Sequence, residues 1–126
     1  MDYFLIAPEG WGISEQQFTR IITTRWPATI FKKVANPGDA HTHSLEFQLP
    51  MEESTLYGAL NRDGSAIIYF GDLRDCAKFA LWYQSVVSPE ALPLLLCDES
   101  YNRSIELQAG TTVEEILHAF SYEPPQ

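Results

Sequence analysis

The chain has 126 residues, 45% of them hydrophobic, 13% aromatic and 20% charged, which suits one domain with its own core and excludes a disordered or fibrous chain. Seventeen acidic residues stand against eight basic ones, a formal charge of −9. A surface of that sign repels nucleic-acid phosphate and anionic lipid, and it favours encounter with a basic protein.

Tyr3 to Ala7 is a short apolar run ending at Pro8 and predicts a strand; Glu9 to Gly12 is a loop around Trp11. Ser14 and Gln17 have capping-box spacing, and Phe18, Ile21, Ile22 and Trp26 share one helical face until Pro27 ends the helix. Ala28 to Ala35 predicts a second strand, followed by the turn Asn36-Pro37-Gly38-Asp39 and a polar stretch through Ser44. Leu45, Phe47 and Leu49 alternate with Glu46 and Gln48, the period of a strand with one wet face. Thr55 to Asn61 and Ser65 to Phe70 flank Arg62-Asp63-Gly64, an Asp-Gly hairpin turn.

A second helix is expected from Asp72, its N-cap, to about Val87, with Asp75 in the first turn. Leu94 to Cys97 is continuously apolar, as in a strand covered on both faces. Ser104 to Gln108 alternates again. Thr111 and Glu114 have capping-box spacing before a third helix with Val113, Ile116, Leu117 and Phe120 on its apolar side. The order β-α-β-β-β-β-α-β-β-α predicts an α/β (α+β) fold, a single domain over residues 1–126, with one mixed sheet of about seven strands and three helices packed on it. Ser65 to Cys97 reads as one βαβ crossover.

Catalytic signatures are missing: there is no P-loop, no dinucleotide fingerprint, no nucleophile elbow and no H-E-x-x-H. His41-Thr42-His43, with Asp39 nearby, is short of the three or four ligands that zinc or nickel needs, and reads as a polar loop. Cys76 and Cys97 lie in apolar surroundings and read as buried free thiols, not as a disulfide or nucleophiles. Neither a cofactor nor a metal nor a catalytic residue is expected. The first residues lack the basic and apolar regions of a signal peptide, and no apolar run approaches a membrane span, so a cytoplasmic location is expected.

Two features stand out. If Ser65–Phe70 and Leu94–Cys97 run parallel, Asp72, Asp75, Asp98 and Glu99 gather at one sheet edge beside Tyr101, where open α/β sheets bind ligands. They read as solvated capping groups, as an acidic patch for a partner's Lys and Arg, or as a divalent-cation or acid–base site. The second helix carries Phe79, Trp82, Tyr83 and Val86 on a second apolar side, which either joins the core or forms an interface, including a homodimer through helix 72–87.

Small, acidic, without a catalytic motif and with carboxylates near an aromatic helix side, the chain resembles in general character the immunity proteins of bacterial toxin–immunity systems, including those of contact-dependent growth inhibition. That resemblance implies a stoichiometric protein-binding inhibitor that neutralises a cognate basic toxin by occluding an essential surface. The expected contacts are Asp72, Asp75, Asp98, Glu99, Tyr101 and Trp82. A small enzyme or ligand-binding domain using the carboxylate-rich edge, and a homo-oligomeric structural protein, remain as alternatives.

Overall fold

The first strand of the chain lies inside the sheet, not at its edge. A computed structural model describes residues 2–34, 43–100 and 103–120. Its elements run β1 (Asp2–Ile6), α1 (Glu15–Arg25), β2 (Ile30–Lys33), β3 (His43–Pro50), β4 (Thr55–Asn61), β5 (Ala66–Phe70), α2 (Leu73–Val86), β6 (Leu95–Asp98), β7 (Ser104–Glu106) and α3 (Val113–Ala119), with a 3-10 turn at Pro89–Ala91 after α2. One seven-stranded sheet has the order β2-β3-β4-β5-β1-β6-β7. The expected element order, strand number and helix number are all present.

Every neighbouring pair in this sheet is antiparallel. The sequence suggested a mixed sheet, and the difference lies with β1. Tyr3 faces Tyr69 of β5 on one side and Asp98 of β6 on the other, antiparallel to both. Strands β5 and β6 therefore run in the same direction, as the crossover requires, but β1 fills the gap between them. The C-terminal ends of β5 and β6 do lie at one edge of the sheet.

Local chemistry sets the element boundaries. Ser14 Oγ accepts from Gln17 N at 3.1 Å and starts α1. Asp72 Oδ1 accepts from Arg74 N at 2.9 Å and starts α2. The hairpin between β4 and β5 turns at Gly64 with φ +74°, where an added Cβ would strike the backbone of Ile13. The Ile13 N–H donates to Gly64 O at 3.0 Å, tying the hairpin to the approach to α1. The cap of α3 falls one residue later than expected: Thr112 and Glu115 form the full capping box. Thr111 is occupied elsewhere, its Oγ1 accepting from Gln108 N at 2.7 Å to close the preceding turn.

Side chains alternate across the sheet, and one side faces all three helices. Tyr3, Leu5, Phe47, Leu56, Tyr69 and Leu96 on that side pack with Phe18 and Ile22 of α1, Cys76 and Phe79 of α2, and Ile116 of α3. Phe79 is the hub: its ring lies 5.1 Å from Tyr69, 6.1 Å from Phe47 and 6.2 Å from Trp26, centroid to centroid. Among the described residues, no helix lies over the other side of the sheet. That explains a second difference from expectation, because Leu95, in the run expected to be covered on both faces, is exposed.

Candidate functional site

The six residues expected to meet a partner separate into three groups. Asp75 and Asp98 are fully buried, which removes both from any surface contact. Asp75 Oδ2 accepts from Ser54 Oγ at 2.8 Å and from Glu53 N at 3.0 Å. Ser54 Oγ in turn accepts from Asp72 N at 2.9 Å. The carboxylate is thus a staple between the β3–β4 turn and the first turn of α2. Asp98 Oδ1 accepts from Ser100 Oγ at 2.9 Å, and Asp98 N donates to Arg103 O at 3.1 Å, which shapes the turn from β6 into β7.

Asp72 and Glu99 are exposed. Asp72 caps α2, and Glu99 Oε1 lies 3.4 Å from Asp2 N. Trp82 is half-buried, its ring edge-on to Trp26 at 4.7 Å. Tyr101 lies outside the described residues, as does His41. The aromatic side of α2 is mostly core: Phe79 and Tyr83 are buried against residues of the same chain, and Val86 is left exposed. That covering leaves a second copy little of the expected interface on helix 72–87.

The other sequence candidates are chemically quiet. Burial pushes the Cys76 thiol up to about 12, helped by the charges of Asp75 and Asp72. Burial, then Asp98, raises the Cys97 thiol as well. Neither sits in the electropositive, accessible setting that makes a thiolate nucleophile. Among the described residues, no three His, Cys, Asp or Glu side chains are grouped to hold a metal ion. No helix among them is long and apolar enough to cross a membrane.

The most developed surface feature is the bare side of the sheet. Register places Ile30, Gln48, Tyr57, Phe70 and Asp2 in one row across five neighbouring strands. The next row is Lys32, Glu46, Ala59, Ile68, Phe4, Cys97 and Ser104. Tyr57 and Phe70 are exposed by 42% and 46%, and Ile30 by 61%. The Tyr57 and Phe70 rings stack at 5.5 Å with 21° between their planes. Small Ala59 sits beside them as a floor, and the surface dips into a concavity of about 360 Å³ lined by residues of β1 to β5, among them Asp2, Glu46, Gln48, Tyr57, Ile68 and Phe70. His43 lines its far end.

This face is not evident in the sequence because β1, β4 and β5, which form most of it, show no clear alternation. Its signal was nevertheless present: Ala66-Ile67-Ile68-Tyr69-Phe70 is apolar at both parities, so a helix layer on one side leaves the other side apolar. The charged groups that alternation sets on this side are Asp2, Glu46 and Glu106 against Lys32. On the helix side several bases are already paired within the chain, Lys78 to Glu52 at 3.1 Å and Arg74 to Glu114 at 3.7 Å. Comparison with family models, with curated proteins and with solved structures finds no match to this chain.

Proposed function

We propose that this chain is a stoichiometric protein-binding inhibitor of the immunity-protein kind, which neutralises a basic toxin by covering an essential surface of it. One observation carries the reading: among the described residues a seven-stranded sheet has its helices on one side, and the other side sets exposed Ile30, Tyr57 and Phe70 among carboxylates. Scattered apolar residues on a surface are ordinary, whereas a contiguous aromatic group with a charged rim is the anatomy of a binding site. The exposed members of the acidic edge extend that rim, because Asp72 follows Phe70 by two residues and Glu99 neighbours Asp2.

The formal charge of −9 favours a basic protein and disfavours nucleic acid and anionic membrane. Two buried free thiols suit a reducing compartment, and we place the protein in the cytoplasm. The same concavity, by its volume, also fits the size range of small-molecule sites, so ligand binding without a protein partner is the second reading.

The test is capture of partners from the native cell lysate at low and high salt, followed by assay of the captured protein's own activity with and without this chain. A single basic partner in equal amount, inhibited when bound and lost with the double substitution Tyr57→Ser and Phe70→Ser, supports the proposal. A partner captured equally well by that variant, or no partner at all, overturns it.

A further inference from the structure

The open face differs from a plain apolar patch in where its charges stand. Asp2 is the direct cross-strand neighbour of Phe70, and Gln48 that of Tyr57. Glu46 faces Ala59, two residues along the strand from Tyr57, and diagonal neighbours at that spacing are within reach of long side chains. The stacked pair Tyr57–Phe70 therefore has the Asp2 carboxylate on its β1 side, and the Gln48 amide and the Glu46 carboxylate on its β3 side, where Glu46 also faces Lys32. Ring faces attract cations through their negative quadrupole, and carboxylates at the rim of a dry floor strengthen that attraction.

We infer that the open sheet face seats an arginine side chain of its partner, with the guanidinium packed against the Tyr57–Phe70 pair and its charge drawn by the flanking carboxylates Asp2 and Glu46. This inference rests on the protein-binding reading and names the chemistry of the partner's anchor. Arginine fits better than lysine on three counts. Its planar head stacks on a ring, its forked donors match a carboxylate, and it gives up its hydration more readily than an ammonium does. The concavity of about 360 Å³ accepts the side chain together with flanking backbone. Among the described residues, three carboxylates stand against one lysine on this face, which also disfavours a second copy of the same chain as occupant.

The experiment uses acetylated hexa-arginine, hexa-lysine and hexa-glutamine as probes of the whole chain, read by NMR shifts of isoleucine methyls and aromatic ring protons. Hexa-arginine is expected to shift Ile30, Ile68, Tyr57 and Phe70, to bind several-fold more tightly than hexa-lysine, and to weaken as salt rises. Tyr57→Ala and Glu46→Gln should each lower its affinity by about threefold or more, the range of one cation–π or charge contact. Glu114→Gln, an exposed carboxylate of α3 on the helix side of the sheet, should leave it within about twofold. Shifts confined to other surfaces, equal binding of hexa-lysine or hexa-glutamine, or indifference to Tyr57→Ala overturns the inference. A concentration-dependent dimer in sedimentation that Tyr57→Ala dissociates overturns it too, by assigning the face to a second copy. Because these peptides need no native partner, the result stands apart from that of the lysate capture.

Discussion

Asp75 Oδ2 accepts a hydrogen bond from Ser54 Oγ at 2.8 Å across 21 residues of sequence, in a place no solvent reaches. A charged group buried with one oxygen doubly bonded and the other, Oδ1, without a hydrogen-bond partner among the described residues is a structural device, not a contact surface. Replacing it by alanine leaves the Glu53 amide and the Ser54 hydroxyl short of an acceptor. Asp75→Ala should cost about 2–4 kcal/mol in urea unfolding, from the loss of two charge-assisted bonds. Asp75→Asn, which keeps one acceptor oxygen, should cost less.

Phe79 touches aromatic rings from α2, β3 and β5 and that of Trp26, the C-cap of α1, so its removal opens a cavity between the helices and the sheet. Phe79→Ala should destabilise by about 3–5 kcal/mol, measured as a lower denaturation midpoint with an unchanged slope. Trp82→Ala, next along the same helix side but only half-buried, should cost clearly less.

The Cys76 thiol rises from an ordinary 9.0 to about 12 in the folded chain, chiefly because burial disfavours the thiolate. The folded state then holds its proton where the unfolded state has released it. The stabilising effect is complete below pH 9.0 and is lost as pH climbs towards about 12. The slope over that window approaches roughly 1.4 kcal/mol per pH unit at most. Unfolding free energy measured from pH 8 to 11 should fall in the native chain, and Cys76→Ala should flatten part of that fall. The native thiol should also react with alkylating reagents far more slowly than the same thiol in urea.

On the open face, Tyr57→Ser and Phe70→Ser remove surface and not core, since each ring is nearly half exposed. The pair should change unfolding free energy by about 1 kcal/mol or less beyond the loss of their mutual stacking, itself about 0.5–1.5 kcal/mol. A loss of partner binding with stability this close to native is the pattern of an interface. A loss of several kcal/mol in stability would return both rings to a structural role.

Much of the fold was legible because local chemistry agreed with the global plan. Ser14, Asp72 and the Asp63-Gly64 turn carry their own instructions, and Leu45-Phe47-Leu49 states which face is dry. The pairing of β1 was not legible, since a five-residue apolar strand fits an edge or a centre equally, and only distant residues decide. The site was read less well for a related reason. Asp75 and Asp98 look like surface carboxylates in any one-dimensional reading, and what holds them inside is Glu53 N and Ser54 Oγ for the first and the turn after β6 for the second. Phe70 and Tyr57 look like core for the converse reason: nothing along the chain says that helices cover one side of the sheet only.

The central position of β1 also bears on how the protein is made. Its ladder partners are residues 66–70 and 95–98, which leave the ribosome long after residues 2–6 do. Until then Phe4, Leu5 and Ile6 are an unpaired apolar strand, the type of segment that seeks another chain's edge. Loop closure from residues 2–6 to residues 95–98 must precede the full gain from these pairings, so productive collapse waits until β6 has emerged. The interval between translation and folding is therefore the period in which this protein is most exposed to misassociation, and in which a holding chaperone would matter most to its yield.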